Sequence, residues 1–284
     1  MVTVFALAAA LLYGSADFLG GAATQRAHVL SVARLSVLGG LGVVLVAAVT
    51  SLEPVRTAGV GWGMAAGAIG GAGLIIFYKG LAAGPMSVVA PISALVSTVL
   101  PVGAALAEGE RPGARVYVGA VLCLLAIVLV SSAGGARSAE RASQHVPGRA
   151  IGYGIAAGVS FGLFFLFLRN GGQSGAFWPV VAARIAGAAV ILAVAAAVRP
   201  GPVPRSGGGR VFWTALGSGL VDASANICYV IATRVGLFGL AIVLTSLYPG
   251  VTVLLARILL GERLRWVQRG GLALAAAGVL LVTT

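Results

Sequence analysis

Four charged residues fall well inside long apolar stretches of this chain: Asp17, Arg34, Arg184 and Asp222. In hydrocarbon an ionisable side chain is costly unless it is paired or hydrated, so such positions mark ion pairs, proton relays or binding sites. Asp222, Asn226 and Tyr229 follow the spacing i, i+4, i+7, which sets a carboxylate, an amide and a phenol on one helical face. Three hydrogen-bonding groups together predict that this face looks into the protein or a watery cavity, not at acyl chains. Removal from water favours a protonated carboxyl, and a nearby guanidinium favours the carboxylate. Where the first effect wins, the group exchanges protons near neutral pH. Asp222 is therefore the first candidate for ion coupling and Asp17 the second. The competing expectation is structural ion pairing, Asp222 with Arg184, and Asp17 with Arg34 at similar depth on either side of a turn at residues 24–27. Arginines left unpaired would instead attract a carboxylate or phosphate on a bound molecule.

Other features disturb the helical backbone. Thr245-Ser246-Leu247-Tyr248-Pro249-Gly250 interrupts one apolar stretch, and Pro91 and Pro101 stand within another. Proline removes a backbone hydrogen bond, and carbonyls freed inside a membrane need a partner, which a cavity or a substrate can supply. Tyr13, Tyr78, Phe161, Phe164, Tyr229 and Tyr248 are aromatic groups suited to line such a cavity, or else to pack. Gly59, Gly63, Gly67 and Gly71 recur every four residues, as do Gly154, Gly158 and Gly162; each series predicts a helix face closely approached by another backbone. Cys123 and Cys228 have no ligand spacing and read as apolar filler, and His28 and His145 lie in or beside loops. No metal motif, nucleophile elbow or phosphate-binding loop is present, so neither a cofactor nor enzymatic chemistry is expected.

The elements that must position these groups follow from composition. Residues are 59% hydrophobic and 9% charged, far too apolar for one water-soluble globule, where charged residues make up roughly 25%. A membrane helix needs about 20 apolar residues. Ten such stretches are present, near 2–22, 29–50, 60–78, 86–107, 114–132, 149–168, 177–198, 211–233, 237–259 and 266–283. The first lacks a charged leader and is expected to remain as a span rather than act as a cleaved signal. The net charge of +12 is expected to meet lipid phosphates at span ends, not nucleic acid. Residues 133–148 form a polar linker carrying Arg137, Glu140, Arg141 and His145, and 199–210 is too rich in proline and glycine for helix.

Residues 84–132 lie without a gap on 236–284, matching Gly84 to Gly236, Gly109-Glu110-Arg111 to Gly261-Glu262-Arg263, and Gly119 to Gly271. The chain is a duplication, 1–132 and 149–284. An odd number of spans per copy turns the second copy upside down relative to the first. The predicted class is an all-α membrane protein of ten transmembrane helices in two inverted five-helix repeats. On that arrangement Arg26, Arg34, Lys79, Arg137, Arg141, Arg149, Arg199, Arg205, Arg210, Arg257, Arg263, Arg265 and Arg269 gather on one side, 13 of the 19 basic residues. The positive-inside rule then sets both termini outside the cell.

Tyr13-Gly14-Ser15-Ala16-Asp17-Phe18-Leu19-Gly20-Gly21, Gly84-Pro85-Met86-Ser87-Val88-Val89-Ala90-Pro91-Ile92 and the repeated Gly-Glu-Arg resemble the EamA family of the drug/metabolite transporter superfamily over essentially the whole chain. The resemblance implies ten helices, a central cavity, and export or uptake of small metabolites by alternating access. Carried over by position, it lines that cavity with Tyr13, Asp17, Tyr78, Pro91, Phe161, Phe164, Asn226, Tyr229 and Ser246. It also implies termini in the cytoplasm, against the charge count, and Ser97 stands where the second copy has Pro249. The expected partners are a small-molecule substrate, most readily an amino-acid-like metabolite, and the lipids of the inner cell membrane, with a monomer as the simplest state. The rival expectations are a uniporter or exchanger with structural aspartates, and a membrane-embedded transferase acting on a lipid-linked substrate.

Overall fold

With no water to satisfy peptide groups in hydrocarbon, apolar runs of this length bond internally and become helices. The computed structural model describes residues 1–83, 86–132, 148–198, 208–260 and 266–283. In the first half α1 spans Val2–Thr24, α2 Val29–Thr50, α3 Thr57–Ala83, α4 Met86–Ala107 and α5 Ala114–Ser132. In the second, α6 spans Gly148–Gly172, α7 Trp178–Val198, α8 Gly208–Val235, α9 Phe238–Thr245, α10 Tyr248–Leu260 and α11 Trp266–Thr283. Among the described residues there is no strand. Among the described residues, eight segments are long and apolar enough to cross a membrane, α9 and α10 counting as one, and two further apolar helices cover Ala114–Val130 and Trp266–Leu281. Only 28–50% of each long span is buried within the protein. The remainder carries exposed large apolar side chains such as Leu11, Leu38, Val46, Leu125 and Ile258, a surface that is stable only against acyl chains.

Helix directions follow from which residues meet. Gly59 of α3 faces Gly171 of α6 while Gly80 faces Tyr153, so these helices run antiparallel. Gly154, Gly158 and Gly162 meet Ile92, Val96 and Leu100 in turn, so α6 is parallel to α4. Tyr13 meets Asn226 whereas Gly20 meets Ser218, making α1 and α8 antiparallel. Exchanging the halves exchanges α1 with α6 and α3 with α8, and the α3–α6 packing then becomes the α8–α1 packing. Since α1 and its repeat equivalent α6 point in opposite directions, the second half is inverted. Both described chain ends share one side, the terminus side, with the turns at 51–56, 108–113, 173–177 and 236–237; the α1–α2 turn lies on the far side.

The glycine series does what close packing requires. A Cβ at Gly63 or Gly67 would collide with the Pro179 or Ala183 carbonyl of α7, and one at Gly219 in α8 with the Ser36 carbonyl of α2. The predicted interruption near Pro249 is real: the helix stops at Thr245 and resumes at Tyr248, because Pro249 has no N–H to offer the preceding turn. Pro91 and Pro101 behave differently from the expectation, since α4 runs unbroken from Met86 to Ala107. Pro91 lies in the second turn of α4, where few upstream carbonyls exist to lose, and its side chain lies outside the described residues. One turn before Pro101, the Thr98 and Ser97 hydroxyls bond back to the Ala94 carbonyl. The linker at 133–147, residues 199–207 and the second Gly-Glu-Arg also lie outside the described residues.

Replacing Gly219 by Ala forces a methyl group against backbone and is expected to cost about 1–3 kcal/mol. Gly61→Ala meets nothing within 4 Å and serves as the control; the melting temperature in detergent reads the difference.

Candidate functional site

Helices α1, α2, α3, α6, α7 and α8 line two adjoining cavities. One, about 210 Å³, is bounded by Tyr13, Gly70, Phe161, Phe164, Ala183 and Asn226 among others. The second, about 500 Å³, reaches from Asp17, Tyr78, Phe77 and Ser218 to Gly21 and Thr24 at the far side. Val37, Leu74, Arg184, Ile191 and Asp222 line both, so the Arg184–Asp222 pair stands where they meet.

The pair joins α7 to α8 through Arg184 Nη2 and Asp222 Oδ2. This is the ion pairing anticipated for Asp222, and it offsets the Arg184 charge. One turn along α8, Asn226 Nδ2 donates to the Asp222 carbonyl at 2.8 Å, and Asn226 Oδ1 accepts from Tyr13 Oη at 2.8 Å. A continuous polar line thus runs from α7 through α8 to α1. Ser218 Oγ donates to the Ala16 carbonyl at 2.8 Å, fixing the same two helices one layer nearer the far side.

The other expected residues divide. Phe161 and Phe164 line the smaller cavity and Tyr78 the larger. Tyr229 does not face either cavity: it is fully buried, and its hydroxyl donates to the Phe165 carbonyl of α6 at 2.9 Å. Seven residues beyond Asp222, it lies roughly 10 Å further along α8, where α6 closes over that face. Ser246 is buried at the α9 end, away from both cavities, and Tyr248 stacks beside Tyr13 with ring centroids 6.1 Å apart. The Asp17–Arg34 pair does not form among the described residues. Arg34 Nη2 instead reaches Ser31 Oγ of its own helix at 3.4 Å, because equal depth fixes no azimuth, and Arg34 lines neither cavity. Asp17 therefore opens into the larger cavity with no ion partner among the described residues.

The terminus side is closed by Glu53, Glu108 and Glu110, of which only Glu110, in the first Gly-Glu-Arg, stood out in the sequence. Glu53 Oε2 accepts from the backbone N–H groups of Ala176 and Phe177 at 2.8 and 3.2 Å, capping α7, and its carbonyl accepts from Trp178 Nε1 at 2.9 Å. Arg234 at the end of α8 lies 3.8 Å from Glu53. Glu110 caps α9 in the same manner, its two oxygens accepting from Phe238 N at 2.6 Å and Gly239 N at 2.9 Å. Glu108 pairs with Arg169 at 2.6 Å, and that guanidinium lies over the Phe238 ring at 4.4 Å. In each case a first-half acid holds second-half donors. Both capping acids follow a residue of positive φ, Leu52 at 54° and Gly109 at 93°. Gly109 ends α4 with the Glu110 N–H returning to the Ala105 carbonyl at 3.0 Å, a left-handed helix stop that aims the next side chain sideways. This is what the first Gly-Glu-Arg does, and a glycine–acid step directly after an apolar run is the signal that could have shown it.

A multi-pass helical membrane protein with two inverted halves around a central chamber is the class these features define. The family model described as the EamA-like transporter family matches residues 1–132 and 148–284. The chain belongs to that family. A solved structure titled only as the crystal structure of a protein is similar over 99% of this chain and 98% of its own, at 20% identity and a TM-score of 0.79, a likeness that shows the fold. No curated protein matches the sequence.

Glu110→Ala strands two helix-terminal N–H groups and is expected to lower stability by about 1–3 kcal/mol. Arg184→Met leaves Asp222 uncompensated and is expected to cost on the order of 2 kcal/mol, below the full buried-pair penalty because the pair borders a cavity. Pairing it with Asp222→Leu should recover most of that loss, as a double-mutant cycle on melting temperature would show.

Proposed function

We propose that the protein is a secondary carrier that moves a small polar or amphipathic metabolite across the cytoplasmic membrane by alternating access, as a ten-span chain of two inverted repeats. The observation that carries the reading is a chamber holding charged groups at mid-bundle, reaching the far side and sealed on the terminus side by bonds between the two halves. Rocking one half against the other would release the Glu53, Glu108 and Glu110 contacts and close the far side in exchange. The sequence's charge count, 13 of 19 basic residues on the side opposite the termini, supports through the positive-inside rule a conformer that faces the cytoplasm with both termini outside.

Asp17 and Asp222 remain the proposed ion-coupling residues, but their order changes. Asp222 is already bonded to Arg184, whereas Asp17 opens into the larger cavity with no ion partner among the described residues, which favours Asp17. Tyr13, Tyr78, Phe161, Phe164, Asn226 and Arg184 are the proposed substrate contacts or their immediate supports. The family's membership among transporters argues against the transferase, as does the scatter of carboxylates into helix caps at the terminus side.

Purified protein in liposomes, screened against a mixed metabolite pool with an imposed pH gradient, is expected to accumulate a compound. Asp17→Asn should abolish the response to the gradient, whereas proton-dependent uptake equal to that of the unmutated chain would remove Asp17 from coupling. A cysteine replacing Thr284 should react with an impermeant maleimide in intact cells; labelling only after lysis would place the termini in the cytoplasm.

A further inference from the structure

Among the described residues, three charged side chains line the joined cavities: Asp17, Arg184 and Asp222. Arg184 and Asp222 are bonded to each other, so their charges cancel at any distance much longer than their separation. Asp17 is the remainder, and it gives the chamber one surplus negative charge. Arg34 keeps its charge, since the Ser31 hydroxyl it reaches within its own helix is neutral, but it lines neither cavity. Sharing the larger cavity with Asp17 are Ser36 and Val37 from α2, Phe77 and Tyr78 from α3, Arg184 from α7, and Ser218 and Asp222 from α8. Most of the rest of the wall is apolar or glycine.

An apolar chamber with one unneutralised carboxylate disfavours a second anion, which would find the guanidinium already occupied and Asp17 repelling it. It favours an occupant with one positive charge, whose body the aliphatic and aromatic walls can cover and whose cationic centre the ring faces can also attract. We infer that Asp17 is the docking group for a cationic nitrogen, and that the cargo class is an organic monocation, an amine or quaternary ammonium on an apolar or aromatic body, rather than a carboxylate or phosphate. This rests on the carrier reading and narrows it.

Benzyltrimethylammonium is a suitable probe because its charge is fixed and it cannot deliver a proton. Calorimetric titration into the full chain in lipid nanodiscs is expected to saturate. Phenylacetate and the neutral isostere neopentylbenzene should bind at least tenfold more weakly. Asp17→Asn should weaken the cation at least tenfold, and Asp17→Glu should retain part of the affinity. For a measurement that needs no variant, dicyclohexylcarbodiimide modification of Asp17, followed by mass spectrometry, should be slowed several-fold by the cation and unaffected by phenylacetate. Equal affinity of the Asn variant, binding of phenylacetate as tight as that of the cation, unprotected labelling, or no cation binding at all would each overturn the assignment. Liposomes that transport other compounds while rejecting every cation would sink the cation class and leave the carrier; saturable cation binding without flux would do the reverse.

Discussion

Closure of this protein on one side depends on carboxylates from one half accepting hydrogen bonds from the helix starts of the other. Helix N-termini present unbonded N–H groups with a partial positive charge, and Glu53 and Glu110 fill two of them, on α7 and α9. The effect is local, but its position decides the conformation. The halves are tied at the terminus side, and the larger cavity between α1, α2, α3, α7 and α8 reaches the opposite ends of these helices, at Gly21 and Thr24.

The interior helix contacts work in the other direction, by allowing rather than tying. Lipid offers no hydrophobic drive for helices to associate, so contact depends on shape. Gly63 and Gly67 let α7 approach to backbone distance, and Gly219 does the same between α8 and α2. These two seams flank the cavities. Side chains larger than hydrogen there would displace α7 or α8 and with them Arg184 and Asp222, so the glycine series positions charged groups that it never touches.

Much of the fold was legible because the bilayer imposes a simple rule: long apolar runs must be helices, and duplication with an odd count must invert. The Asp222–Asn226 face was legible for the same reason, since helical periodicity fixes azimuth within one helix. Tyr229 satisfied the same periodicity and yet packs against α6, because spacing says nothing of how neighbours crowd a face at another depth. Asp17 and Arg34 shared a depth and still did not pair, since residue count about a turn leaves rotation of each helix undetermined. Pro101 resembled a break and was absorbed into α4. Glu53 was illegible altogether: an acid in a short connection looks solvent-exposed until the second half arrives, 123 residues later in sequence, to supply its donors.

The two capping carboxylates bond to main chain, not to side chains, and this divides the burden of mutation unevenly between the halves. Every residue except proline carries the N–H that Glu53 and Glu110 require, so the receiving positions 176 and 177 can change identity with the clasp intact, whereas a Cβ at Gly239 would lie 3.2 Å from Glu110 Oε2 and Phe238 also carries Arg169. The giving positions have no such latitude. Sequence drift should therefore be asymmetric across an otherwise symmetric molecule, with the burden falling on two glutamates and the two backbone bends that aim them.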